Sequence, residues 1–389
     1  MAATESILSL ARAGATSRAW DSYVAAGLNK VTNNPAALTL KGRLLKDQAR
    51  RASGEVAARL YLQSAKAYAD AAALRPDSYP LINAATMSLF AGQADHMASL
   101  ARQVLTLLEN SKSAGETPYW HDATKAEALL LLGQQVEAET ALREARAHAP
   151  QAWEDHATTL RQFRAILQSR GEAHDWLAAY APPKSIYFKG MMGISVDDRH
   201  AVDAISNIVA KSGARFAYGA LAAGADILIA EAVLSDGGEL HVILPVSLSA
   251  FRTQSVEPYG EGWLPRFDAL LEQAASVEIV DNGDRLSSAA IVLAAGVAKG
   301  RAIDNAERLE SEALPVEVTD PADTSATTGV ATALTPSRSA TPRESIDLEK
   351  RQLSLLVGTN GETEAELERC RLGAPRDDDI FQLSRLHDP

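Results

Sequence analysis

The sequence predicts an α-helical solenoid, then an α/β domain with a mostly parallel sheet, then a flexible C-terminal tail. Residues 2–181 are rich in Ala, Leu, Gln, Glu and Arg, and their small and apolar residues recur at helical spacing. From residue 182, short β-rich runs alternate with helical stretches and glycine-containing turns. After residue 318 the chain is dense in Thr, Ser, Ala and Pro. We therefore expect domains at residues 1–180, 181–335 and 336–389.

Composition excludes several classes of protein. The 389 residues carry 50 acidic and 38 basic side chains, a net charge of −12, so the chain has no overall positive field to attract nucleic acid. Cys370 is the one cysteine, which excludes an intrachain disulfide and a zinc site built from cysteines. The start lacks the pattern of a signal peptide, and no run approaches 18 apolar residues. We expect a cytoplasmic protein without a membrane segment.

Turn signals divide the first half into helices of about 12–20 residues joined by short loops, which is typical of stacked helical hairpins. Proline, glycine and asparagine supply these signals, at Asn34-Pro35, Arg75-Pro76, Ala91-Gly92, Thr117-Pro118, Leu132-Gly133, Ala149-Pro150 and Arg170-Gly171.

The clearest hairpin occupies residues 119–150. Gly133 allows a tight turn between two helices, Ala138 and Ala145 allow the helices to approach closely, and Pro150 ends the second helix. Together with Leu142, these positions resemble a tetratricopeptide repeat. A second, poorer copy around residues 68–98 resembles the same repeat, so the first half is similar to a divergent tetratricopeptide-type array.

Such an array commonly presents a groove to a protein partner, because each hairpin buries its core only against its neighbours. The alternative is that the helices merely support the second half or make the chain a homo-oligomer. The large aromatic residues of this half are expected in the core rather than in a groove; they are Trp20, Tyr61, Tyr68, Trp120 and Trp153.

In the second half we predict strands at 185–188, 214–218, 240–244, 276–280 and 316–318, and helices at 199–211, 224–235, 264–274 and 286–308. Alternation of this kind implies right-handed crossovers, a Rossmann-like parallel sheet, and a ligand crevice at the carboxyl ends of the strands.

Two glycine-containing turns follow the first two predicted strands, with Gly190 in the first and Gly219 and Gly224 in the second. Such turns bring backbone N–H groups of a helix start close to a ligand, which favours a phosphate. The chain has no G-x-G-x-x-G motif, and Ala225-Asp226 stands where a P-loop requires Lys-Ser or Lys-Thr. The glycines alone are therefore also compatible with simple chain turns.

The run GALAAGADILIAEA at residues 219–232, followed by ELHVILP at 239–245 and WLPRF at 263–267, resembles the SLOG superfamily of Rossmann-like domains, which includes the LOG and DprA families. The chain is similar to bacterial proteins in which a tetratricopeptide-like or TRAFs-binding-type helical region precedes such a domain. This resemblance implies a nucleotide or nucleotide-derived ligand. Two motifs depart from the family: the first loop has no histidine, and only Thr327-Thr328-Gly329 is left of a late phosphate loop.

The candidate site residues lie in these turns and the helices after them. Asp226 could accept hydrogen bonds from ribose hydroxyls, and Glu231 could reach the same crevice as a base or as a hydroxyl acceptor. Arg266 could pair with a phosphate, and Pro245 is a turn close to the ligand. The remaining ligand-binding candidates contribute backbone, and they are Gly190, Gly219, Gly224 and Ala225. His241 alternates with apolar neighbours and is expected to be a sheet residue; no metal or cofactor site is predicted.

We therefore expect a cytoplasmic sensor of a nucleotide-derived ligand whose helical array meets a protein partner, in signalling or defence. An enzymatic alternative is cleavage of an N-glycosidic or phosphoester bond by Glu231 and Asp226. A third alternative is a scaffold that binds no ligand.

Overall fold

The computed structural model describes residues 2–110, 117–319, 344–348 and 351–355. The described chain forms two compact units that divide between Ala181 and Pro182. The predicted fold class is confirmed, with a helical array followed by a Rossmann-like parallel sheet. The predicted remnant of a phosphate loop at 327–329, the linker at 336–343 and the tail at 358–389 lie outside the described residues.

The first unit consists of α-helices; each of the first eight packs on its neighbour along the chain, and the ninth packs on the fifth and the seventh. Its described α-helices are α1 (Ala2–Arg12), α2 (Thr16–Ala25), α3 (Pro35–Ala49), α4 (Gly54–Leu74), α5 (Ser78–Phe90), α6 (Ala94–Asn110), α7 (Pro118–Leu131), α8 (Gln135–His148) and α9 (Trp153–Arg170). Short 3-10 helices lie at Leu28–Lys30 and Asp175–Tyr180.

Local chemistry explains where these helices begin. The side chains of Asn34, Asp77 and Thr117 accept hydrogen bonds from backbone N–H groups in the first turns of α3, α5 and α7. A proline opens α3 and α7, where its missing N–H costs nothing. The turn signals read from the sequence therefore coincide with helix ends.

The repeat-like hairpin α7–α8 has the predicted geometry. Gly133 lies in the turn at a φ of +77°, a conformation that other residues rarely adopt. Ala138, Leu142 and Ala145 are fully buried between the helices. Of the aromatic residues predicted in the core, Tyr68 is fully buried, while Trp20, Tyr61, Trp120 and Trp153 are half-buried.

The second unit is built on a parallel sheet in the order β4-β3-β2-β1-β5. Its strands are β1 (Lys184–Gly190), β2 (Ala214–Gly219), β3 (Glu239–Leu244), β4 (Ser276–Ile279) and β5 (Ala313–Thr319). An antiparallel hairpin of β6 (Glu344–Leu348) and β7 (Arg351–Leu355) adjoins β5. All five predicted strands are present, and β5 is longer than predicted.

The helices of this unit are α10 (Arg199–Ser212), α11 (Ala225–Ser235), α12 (Leu248–Ser255), α13 (Trp263–Gln273) and α14 (Ser288–Arg308). Sequence reasoning missed α12, because eight residues are too few for a helical period to stand out. The chain steps from β1 to β4 in one direction and returns through α14 to β5 on the other side. Right-handed crossovers therefore put α14 on the face of the sheet opposite α10, α11 and α13.

None of the helices within the described ranges is both long and apolar enough to span a lipid bilayer.

Candidate functional site

A cavity of about 360 Å³ opens at the carboxyl ends of β1, β2 and β3, under the N-terminal half of α14. Its size lies within the range of small-molecule sites, and its place is the one where open parallel sheets bind ligands. Most of the wall is apolar, and it includes Phe188, Met191, Met192, Ile243, Phe251 and Ile291. The cavity therefore suits a ligand with an apolar or aromatic body.

Asp226 is the buried polar group of this cavity. Its side chain sits in the first turn of α11, is 5% exposed, and accepts a hydrogen bond from the Ala222 N–H at Oδ2 over 3.2 Å. Oδ1 is buried and has no hydrogen-bond partner among the described residues. Burial raises the pKa of Asp226 to about 8, although the N–H groups of Ala222 and Gly190 offset part of the rise. At neutral pH the carboxyl is therefore mostly protonated and offers a ligand both a donor and an acceptor.

Gly190 and Gly219 line the cavity, but packing within the chain already requires both. A Cβ at Gly190 would collide with the Cβ of Ala225, so the glycine lets α11 lie directly on β1. A Cβ at Gly219 would come within 2.7 Å of the Phe188 ring. Their small size shapes the cavity floor and needs no ligand to explain it.

Gly224 and Ala225 lie at the start of α11 and do not line the cavity. Gly224 has a φ of +109°, and a Cβ there would lie 2.7 Å from the Met191 carbonyl oxygen. The Ala225 N–H donates to that same oxygen over 3.1 Å. The loop after β1 therefore occupies one of the N–H groups that the sequence pattern offered to a phosphate.

Glu231 and Arg266 form an ion pair with each other, and neither lines the cavity. The Arg266 Nε donates to Glu231 Oε1 over 2.7 Å, and Nη2 donates to Oε2. Arg266 also donates from Nη1 to the Val196 carbonyl over 3.3 Å and lies 4.6 Å from the centroid of the Trp263 ring. This pair ties α11 and α13 to the loop after β1, which makes it a positioning contact for that loop.

Pro245 lines the cavity next to the end of β3, so the structure brings Gly190, Gly219, Asp226 and Pro245 together. Sequence reasoning missed the contribution of α14, whose Ala294, Ala295 and Ala298 form one wall. The i, i+4 alanine stripe of that helix was the available signal, because small residues mark a face that packs closely on a sheet.

Lys189 and Glu317 also line the cavity, and their charged groups pair across β1 and β5 over 2.9 Å. Sequence alone could not reveal this pair, because the two residues are brought together only by the pairing of the first strand with the last.

His241 is a sheet residue, as predicted. Its ring stacks on Tyr218 with centroids 4.6 Å apart, and Nδ1 is 2.8 Å from the Ser276 hydroxyl. Burial lowers its pKa, which favours the neutral ring in this position. Within the described ranges, no group of three or more His, Cys, Asp or Glu side chains is arranged to hold a metal ion.

The helical unit has a groove of its own, of about 810 Å³, between α4, α5 and α6. Apolar residues such as Ala72, Leu81 and Leu100 lie beside polar ones such as Gln103 and Thr106. A mixed lining of this kind suits a peptide segment better than a small apolar molecule.

Comparison with known proteins concerns mainly the helical unit. Residues 1–88 match the family model described as Tetratricopeptide Repeats-Sensor. No curated protein matches the chain. Among solved structures, a mutant of the O-GlcNAc transferase of Thermobaculum terrenum is similar at 18% identity, over 67% of this chain and 44% of that one. Its TM-score of 0.23 is too low to carry an argument. The N-terminal helices are thus similar to a tetratricopeptide-repeat sensor region.

Proposed function

We propose that this chain is a sensor in which the α/β unit binds a nucleotide-derived small molecule and the helical unit binds a protein partner. One observation carries the proposal: an apolar cavity at the carboxyl ends of parallel strands contains a buried carboxyl, one oxygen of which has no partner in the described part of the chain. A buried polar atom without a partner is costly, and a ligand that satisfies it gains specificity.

The lining favours the base or nucleoside part of such a ligand. The apolar side chains accept a flat ring, and the protonated Asp226 can pair with an amino or hydroxyl group. Lys189 is the one cation among the described residues of the lining, and Glu317 neutralises it. We therefore expect phosphates to lie towards the cavity mouth. The SLOG-type resemblance of residues 219–267 supports the nucleotide class.

The helical unit supports the second half of the proposal. Its match to a tetratricopeptide-repeat sensor model and the groove along α4, α5 and α6 favour capture of a protein segment. A cytoplasmic role in signalling or defence fits this combination.

Cleavage of an N-glycosidic or phosphoester bond, the enzymatic alternative, would require Glu231 and Asp226 to meet a ligand in one crevice. Glu231 lies instead in the ion pair with Arg266 outside the cavity, which leaves Asp226 as the one acid of the pair that can meet a ligand there. We therefore favour binding over hydrolysis.

The test is a thermal-shift screen of the full chain against adenosine, AMP, NAD, ADP-ribose and cyclic dinucleotides. A ligand at 100 times its dissociation constant adds about 2.7 kcal/mol to the free energy of unfolding. Ala295→Trp blocks the cavity mouth from an exposed position, and Ala210→Trp on the exposed face of α10 is the matched control.

We expect a selective shift that Ala295→Trp abolishes and Ala210→Trp preserves. A shift that survives Ala295→Trp would place the ligand elsewhere and overturn the site. No shift with any compound would favour the scaffold, and conversion of the bound compound would favour the enzyme.

A further inference from the structure

The outer face of α14, which points away from the sheet, is apolar and uncovered by other described parts of the second unit. It comprises Ala289, Val292, Leu293, Gly296, Gly300 and Ile303, which recur at three- and four-residue spacing. Val292 is 72% exposed and Leu293 is 55% exposed. Residues 288–298 contain no charged side chain. Adjacent apolar residues at this level of exposure, on a helix surface, mark an interaction site.

The two glycines of this face have no explanation within the described chain. A Cβ at Gly296 or Gly300 would meet no described atom within 4 Å, in contrast to Gly42 or Gly219, where it would strike an aromatic ring. Each glycine inside a helix costs about 1 kcal/mol relative to alanine. Glycine in such a place lets a second helix approach closely.

We propose that a second copy of this chain packs on the outer face of α14, with the two helices antiparallel about a two-fold axis at Gly296. In that arrangement Val292 of one copy lies against Gly300 of the other, and Ala289 lies against Ile303. The β-branched side chains of Val292 and Ile303 therefore each meet a small residue of the other copy. An interface between two identical copies requires this kind of self-complementarity, because the same patch must serve both sides.

Charges at the ends of the helix agree with the same register. Arg285, in the turn before α14, comes opposite Glu307 near the end of the partner helix, so the pairing places opposite charges together at both ends. Both residues are exposed. A parallel pair would instead place each of these residues next to its own copy and repel.

The size of the face sets the strength of the dimer. From Ala289 to Ile303 the face is about 22 Å long, and a strip about 10 Å wide along it covers about 200 Å². A standard stable interface buries about 800 Å² per partner. We therefore expect a dimer that dissociates at micromolar concentration. Because Ala294 and Ala295 of the same helix line the cavity, the dimer also adjoins the ligand site.

The experiment is sedimentation velocity of the full chain between 1 and 100 µM. We expect a concentration-dependent dimer that Gly296→Ala combined with Gly300→Ala weakens at least tenfold. These substitutions raise helix propensity and add atoms only into open space, so loss of the dimer cannot come from unfolding. Val136→Asp, at a site 75% exposed on α8, is the control and leaves the dimer intact.

Charge reversal tests the antiparallel register. Arg285→Glu and Glu307→Arg each weaken the dimer, and the double variant restores it. A wild-type chain that is monomeric at 100 µM overturns the proposal. A dimer that is insensitive to the glycine substitutions, or that the double reversal does not restore, overturns it as well.

Discussion

Asp226→Asn should stabilise the chain, and the gain should grow with pH. The pKa of the buried carboxyl is raised from 3.8 to about 8, so between these values the folded state holds a proton that the unfolded state has lost. The free energy of unfolding of the wild-type chain therefore falls as pH rises, by about 1.4 kcal/mol per pH unit within this window. Asparagine has nearly the same shape, can still accept the Ala222 N–H, and does not ionise.

From pH 5 to pH 8 the wild-type loss amounts to about 3–4 kcal/mol. The free energy of unfolding of Asp226→Asn and of wild type, measured in urea at pH 5, 6, 7 and 8, should differ by that much more at pH 8 than at pH 5. Taking the difference at each pH removes the contribution of every other titrating group. Asp236→Asn, at the exposed C-terminal end of the same helix, is the control and should follow wild type. A difference that stays constant across the pH range would refute the raised pKa of Asp226.

Three further predictions concern the supporting structure. Gly42→Ala places a Cβ 2.7 Å from the buried Tyr68 ring and should lower the free energy of unfolding by about 1–2 kcal/mol. Gly296→Ala adds its Cβ in open space and should raise the free energy of unfolding. Glu231→Gln leaves Arg266 without its charge partner and should cost about 1–2 kcal/mol in urea unfolding. Because Glu231 acts on the cavity only through the loop after β1, this substitution should lower the affinity for a bound nucleotide by a smaller free energy than it lowers the stability. Lys46→Met should flatten the stability profile between pH 7 and 9. Burial lowers the Lys46 pKa from 10.5 to about 7, so in this window the unfolded state holds a proton that the folded state has released, and the free energy of unfolding of the wild-type chain rises by about 2 kcal/mol.

Local sequence patterns were enough to predict most of the helices and strands. Helix ends in the first unit could be predicted because caps such as Asn34, Asp77 and Thr117 act within three residues of themselves. The parallel strands could be predicted because each is a short β-rich run between turns, although β4 is mostly exposed. The helix α12 escaped notice because its two turns hold no period long enough to distinguish it from a loop.

The candidate site was predictable only in part. Gly190, Gly219, Asp226 and Pro245 meet at one cavity because the carboxyl ends of neighbouring parallel strands share one edge of the sheet. Glu231 is five residues after Asp226, and helical geometry turns it towards Arg266 instead. The ion-pair partner of Glu231 lies on α13, which is 35 residues away along the chain, so the local sequence around Glu231 does not reveal it.

The sequence by itself determined the order of helices and strands, the acidic character of the chain and the edge of the sheet where the candidate cavity lies. These properties follow from residue periodicity, caps and turns, which act over a few neighbouring residues. Only the tertiary structure decided that Asp226 is buried with one oxygen unpartnered among the described residues, that the Ala225 N–H donates to the Met191 carbonyl, and that α14 exposes Val292 and Leu293. Burial, desolvation and pairing depend on residues far apart in the chain, and no local pattern records which of them will meet.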